Sequence, residues 1–131
     1  MILLDTNIVI AYFNGNKAIL TRIQEVIDKI VLSTLVIAEL DYGAKASQKA
    51  KENLEKLYRF VDIIQVVSFD LKCAKIFGTI KSRLRKLGKP TGEIDALIAA
   101  IAIANKAILV TGNKKHFENI EDLKIEIWPV K

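Results

Sequence analysis

Short runs of Ile, Val and Leu alternate along this chain with longer stretches whose apolar residues recur at helical spacing, and that alternation fixes the fold class. Ile2–Leu4, Ile30–Leu32, Ile63–Val67, Ala107–Val110 and Ile125–Ile127 are brief, branched and bounded by polar residues, so they are expected as buried strands. Between them the spacing predicts helices over Asn7–Phe13, Ala18–Ile27, Leu35–Ala46 and Gln48–Phe60. A further helix follows Asp70, with Cys73, Phe77, Ile80, Leu84 and Leu87 as its apolar stripe. The most apolar helix holds Asp95 and runs to Ala104, with Thr91 as its expected cap. Ser33 or Thr34 and Asp70 are expected to cap the helices that follow them. Strands alternating with helices give an α/β fold with an open, mostly parallel sheet of about five strands. In such sheets, ligands sit outside the carboxyl ends of the strands.

With 131 residues, of which 51% are hydrophobic, one domain spanning 1–131 and a substantial core are expected. Ala96–Ala104 is far shorter than the ~20 apolar residues of a membrane span, so no membrane partner is expected. Asp5 interrupts the first apolar run and no basic segment precedes it, which argues against an export signal. The single cysteine, Cys73, excludes an internal disulfide and fits the reducing cytoplasm. The net charge is +5, and it is concentrated. Residues 70–89 hold seven Lys and Arg against one Asp, which leaves the remainder of the chain slightly acidic. That stripe is either a solvated helix face or the footprint of a polyanion binder.

Three carboxylates stand out by position. Asp5 closes the first strand, where it also suits the N-cap of the next helix. Glu39 lies among Leu35, Val36, Ile37, Ala38 and Leu40, near the start of the helix after strand two. Asp95 opens a helix too apolar all round to be exposed, and a buried carboxylate must protonate, pair or bind a metal. No Lys or Arg lies within three residues of any of them. Acids gathered in one crevice repel unless a divalent cation neutralises them. Oxygen ligands suit Mg²⁺, with Mn²⁺ as a substitute, whereas one His and one distant Cys serve Zn²⁺ poorly. A carboxylate–metal site beside a basic stripe points to phosphodiester hydrolysis.

The segments LLDTNIVIAYF, VIAEL, IDALIAAIAIA and ILVTGNKKHF, in that order, resemble PIN-domain ribonucleases, and more narrowly the VapC-type toxins of toxin–antitoxin pairs. The resemblance spans nearly the whole chain. It implies a Rossmann-like α/β/α sandwich, Mg²⁺- or Mn²⁺-dependent cleavage of RNA, a homodimer, and a cognate antitoxin that blocks the site. Asp5, Glu39 and Asp95 match the three acids of the family. Asp5 and Asp95 are then direct metal ligands, while Glu39 binds metal, binds it through water, or orients the attacking water. A fourth family acid is replaced here by Asn113, which the resemblance makes a candidate catalytic residue. Its amide can hydrogen-bond a metal-bound water or coordinate through its carbonyl oxygen but adds no charge, so a second metal has less to hold it. Thr111 in the same loop can bond a carboxylate or Asn113.

Lys81, Arg83, Arg85, Lys86 and Lys89 end a short step before Asp95 and are candidates for holding an RNA backbone through its phosphates. Glu93 is two residues from Asp95, which turns it roughly 200° away around the helix. His116, the only histidine, reads as an anchor of its loop, because a metal-activated water needs no histidine base. Cys73 on an apolar stripe reads as an inert thiol, and Trp128 and Tyr12 as packing residues. Three rivals to a toxin nuclease follow. One is a PIN nuclease of RNA maturation. Another is a catalytically silent α/β binding module stabilised by a cation. The third is a phosphoacceptor receiver domain, which is disfavoured because Asp5 has no acidic neighbour.

Overall fold

In the computed structural model, which describes residues 1–130, five strands form one sheet. The elements in order are β1 (Ile2–Leu4), α1 (Thr6–Phe13), α2 (Lys17–Glu25), β2 (Ile30–Ser33), α3 (Thr34–Lys45), α4 (Ala50–Ile63) and β3 (Gln65–Val67). They continue with α5 (Leu71–Leu87), α6 (Glu93–Ala104), β4 (Ile108–Thr111), α7 (Lys114–Phe117) and β5 (Lys124–Ile127). Lys131, the last residue of the expected 1–131 domain, lies outside the described residues.

Spatial order is β3-β2-β1-β4-β5, with every neighbouring pair parallel. Central β1 aligns Ile2 with Ile30 on one side and with Ile108 on the other. The chain winds outward from β1 to β3, then returns to the other side of β1 as β4 and β5. The carboxyl ends of β1 and β4 are therefore the switch point of the sheet, where a crevice opens.

Burial follows that order. Leu3, Leu4, Leu32, Leu109 and Val110 have no exposed surface, and α6 buries Ala96 and Ile98–Ala102 against this centre. The expectation that all five strands are buried fails at the two edges. In β3, Gln65 and Val66 are exposed, and β5 exposes Lys124, Glu126 and Ile127, because each edge strand has a neighbour on one side only. β3 also starts later than its apolar run suggests. Ile63 is the last residue of α4 and stands 71% exposed, so it belongs to a helix end rather than to a strand.

Side-chain caps open α3, which carries Glu39, and α5. Ser33 Oγ accepts the Val36 N–H at 3.1 Å to open α3, and Asp70 Oδ1 accepts the Cys73 N–H at 3.0 Å to open α5. Thr91 does not cap α6. Gly92 occupies that position, and the Thr91 hydroxyl donates to the carbonyl of His116 at 2.9 Å. The α5 stripe buries Cys73, Ile80 and Leu84 but leaves Leu87 64% exposed, because α5 outruns the core at its C-terminal end. Gly88 stops that helix in the left-handed conformation, with φ +66°. Among the described residues, no helix is long and apolar enough to cross a membrane.

Candidate active site

Asp5 stands between the two central strands. Its N–H continues the sheet ladder to the Val110 carbonyl at 2.9 Å, which holds its backbone rigidly at the crevice. The side chain, 6% exposed, caps α1 through Oδ1, which accepts the Thr6 N–H at 2.8 Å. Its other oxygen, Oδ2, accepts the Thr111 hydroxyl at 2.7 Å from the end of β4. The capping role and the site role are thus held by one carboxylate. Thr111 bonds in both of the ways open to it, since its Oγ1 also accepts the Asn113 N–H at 3.1 Å.

Glu39 arrives from α3. Its Oε1 accepts the Thr6 hydroxyl at 2.6 Å, so one residue, Thr6, holds Asp5 through its backbone and Glu39 through its side chain. Asp95, in the first turn of α6, is partly buried, with a quarter of its side chain exposed. Burial pushes its carboxyl above the ordinary carboxylate range, His116 opposes that, and the negative charges of Asp5 and Glu39 push it further up. The three acids therefore share one electrostatic field, although they come from three different elements.

Sequence reasoning missed one member of this group. His116 Nδ1 lies 3.2 Å from Asp95 Oδ2, whereas no Lys or Arg pairs with any of the three carboxylates among the described residues. His116 does anchor its loop, through the Thr91 bond to its carbonyl, but its ring faces the acid as well. The signal was its place in the same loop as Asn113. Asn113 itself is exposed and joins the network through its backbone N–H.

The basic residues of α5 differ in their partners. Lys81 Nζ pairs with Glu93 Oε1 at 2.8 Å, and Arg83 pairs with Glu121 and Asp122 at 3.2 and 3.6 Å. Arg85, Lys86 and Lys89 are exposed. Glu93 is turned away from Asp95, as helix geometry requires. Cys73 is fully buried and its thiol is pushed up by burial, so it is a packing residue. Trp128 is 3% exposed in the core, and Tyr12 packs its ring on Phe60 at 5.1 Å.

The site thus offers hard carboxylate oxygens held by hydroxyl and backbone donors, with no Lys or Arg paired to them among the described residues. Among those residues, no three His, Cys, Asp or Glu side chains enclose an ion-sized position by themselves. A cation here would need water among its ligands, which is how Mg²⁺ is usually held.

A parallel sheet with acids at its switch point defines a class of α/β domains whose chemistry centres on carboxylates. Residues 2–123 match the PIN domain. The chain is 36% identical over 129 residues to ribonuclease VapC2 of Rickettsia felis, covering 96% of both chains. It is 35% identical over 127 residues to the tRNA(fMet)-specific endonuclease VapC of Shigella flexneri, again over 96% of each. Among solved structures, VapBC2 of Rickettsia felis bound to a promoter DNA fragment superimposes with a TM-score of 0.91 at 35% identity, covering 98% of this chain and 99% of that one. DNA-bound VapBC of Salmonella typhimurium gives 0.92 at 30% identity, over 97% of each. The chain belongs to the PIN-domain family, within its VapC ribonuclease branch.

Proposed function

We propose that this protein is a Mg²⁺-dependent endoribonuclease that hydrolyses RNA phosphodiester bonds, and that it is the toxin of a pair restrained by a cognate antitoxin. The observation that carries the catalytic part is the convergence of Asp5, Glu39 and Asp95 in one field without a Lys or Arg partner. Concentrated negative charge left unneutralised by the protein calls for a cation from outside. The donor set fits the ion, since all three side chains offer carboxylate oxygens and soft ligands are absent from the group.

Asp5, Asp95 and Glu39 would hold the ion. When bound, Mg²⁺ neutralises the carboxylates, polarises the phosphoryl oxygen and makes water a better nucleophile. The chain's own work is positioning. Thr111 and the Thr6 N–H fix both oxygens of Asp5, the Thr6 hydroxyl orients Glu39, and His116 orients Asp95. Hydrolysis joins a water oxygen to phosphorus and breaks the bond to one ribose oxygen, which takes up a proton. Asn113, exposed at the rim beside Thr111, offers an amide to hydrogen-bond water or the substrate there.

The toxin assignment rests on relatives named as VapC ribonucleases and on solved neighbours that are VapBC assemblies. An RNA pool that includes initiator tRNA should be cleaved with Mg²⁺ and left intact with EDTA. Asp5→Asn and Asp95→Asn should abolish the cleavage. Cleavage that survives EDTA or either substitution would overturn the proposal. The product of a small reading frame directly upstream should co-purify with this chain and stop the cleavage. A chain that is active and has no such neighbour would instead be a maturation nuclease.

A further inference from the structure

Two clefts of similar size, about 610 and 570 Å³, flank the C-terminal half of α5. The first is lined by Lys81, Ser82, Leu84, Arg85, Pro90 and Thr91. The second is lined by Arg83, Lys86, Leu87, Glu118, Ile120 and Glu121 among others. Size does not distinguish them, but charge does. In the second cleft two cations face two glutamates, and Arg83 is already paired with Glu121 at 3.2 Å. In the first, Lys81 and Arg85 stand four residues apart on one helix face, and no acid lines the walls. Lys81 is paired with Glu93 at 2.8 Å, and Arg85 has no ion-pair partner among the described residues.

Its position matters as much as its sign. Thr91 forms one wall and donates to the His116 carbonyl, and the ring of His116 meets Asp95. The cleft is therefore joined to the catalytic acids through a single residue on each side of one hydrogen bond. On the far side of that bond lies α7, whose Lys114 and Lys115 are exposed. A phosphate chain lying across Asp95 would meet this positive cleft as it leaves the crevice. Gly88, in the left-handed conformation, turns the main chain away from the helix axis, and Pro90 follows it as the other end of the cleft.

We infer that the cleft between α5 and the α5–α6 connector is a backbone-phosphate subsite for RNA, with Lys81 and Arg85 as its cations and the Arg83/Lys86 side of α5 excluded. The inference rests on the nuclease reading for its ligand class. Among the candidate cations of α5 it selects Lys81 and Arg85 over Arg83 and Lys86. Lys81 would exchange Glu93 for phosphate when RNA binds, whereas Arg85 is free to take phosphate without breaking an existing pair.

The test is binding of a short fluorescein-labelled, unstructured RNA by the full chain in EDTA, read by anisotropy across a salt series. Binding without metal separates this question from whether the protein cleaves RNA. The Lys81→Ala/Arg85→Ala variant should bind about tenfold or more weakly, and its log–log salt slope should fall by about 1.4, as expected for two lost phosphate contacts. Arg83→Ala/Lys86→Ala should change the affinity about twofold or less. Equal losses in both double variants would show diffuse attraction by α5 and overturn the subsite, as would no loss in either. Arg85→Ala alone leaves the Lys81–Glu93 pair intact, so it keeps the test decisive if the double variant unfolds. It should lower the slope by about half as much. A protein that cleaves RNA yet fails these binding outcomes refutes the subsite and leaves the nuclease standing. One that shows them without metal-dependent cleavage does the reverse.

Discussion

His116 Nδ1 meets Asp95 Oδ2 at 3.2 Å, joining the loop after β4 to the first turn of α6 across the crevice. The Thr91 hydroxyl holds the carbonyl of the same histidine, so the residue that touches the acid is braced by the connector leading into the acid's own helix. An outer partner of this kind fixes the direction of a ligand carboxylate.

Removing that partner should loosen Asp95. His116→Ala is expected to raise the Mg²⁺ concentration for half-maximal cleavage by on the order of tenfold, the usual scale for a lost outer-sphere contact. His116→Asn keeps a donor near the position of Nδ1 and should recover much of that loss. A metal titration of the two variants checks this, and equal impairment in both would favour a role for the ring itself in proton transfer.

Thr111 and Thr6 each donate a hydroxyl to a carboxylate of the candidate site, but in different surroundings. Thr111 is fully buried and Asp5 nearly so, whereas the Thr6–Glu39 pair is exposed. Thr111→Val keeps the shape and strands a buried carboxylate oxygen, which should cost about 1–3 kcal/mol in urea unfolding. Thr6→Val should cost less than about 0.5 kcal/mol, because water replaces the hydroxyl at Glu39. Both should lower cleavage.

Asp95 makes the metal-free protein's stability depend on pH. Its ordinary value is 3.8, and in the folded chain burial raises it, His116 draws it back, and Asp5 and Glu39 raise it again. A carboxyl with a raised folded value holds its proton more tightly when folded, so ionising it costs stability. That cost is absent below the ordinary value, grows as pH rises to the raised folded value, and is constant above it. In EDTA, Asp95→Asn should therefore melt higher than wild type at pH 7, and the gap should close towards pH 4. Thermal melts at several pH values decide it, and an equal or lower melting temperature at pH 7 would contradict the account.

Much of this was legible in the sequence because periodicity and strand-end position are local signals. The strand runs gave the sheet, and Asp5 at the end of Ile2–Leu4 lies where a switch point requires. The edge strands were not legible as edges, since an apolar run such as Ile63–Val67 does not say how many neighbours it will have. Likewise, Thr91 is followed by Gly92, and the preference for a hydroxyl cap lost to a tertiary bond with His116, twenty-five residues away. The pairing of His116 with Asp95 is also a product of the fold, as neither residue has a local reason to meet the other. The basic stripe divided for a similar reason. Helical spacing separates Lys81 and Arg85 from Arg83 and Lys86, but only the packing of the Glu118–Asp122 segment shows which side has acids in its cleft wall.

The central claim is that Asp5, Glu39 and Asp95 together hold a divalent cation. Mn²⁺ binding to the full chain, followed by the loss of its free-ion electron paramagnetic resonance signal, tests this most directly. Saturable binding is predicted for wild type, with strong weakening in Asp5→Asn and Asp95→Asn and a smaller loss in Glu39→Gln. Absence of saturable binding, or binding that all three substitutions leave unchanged, would contradict it.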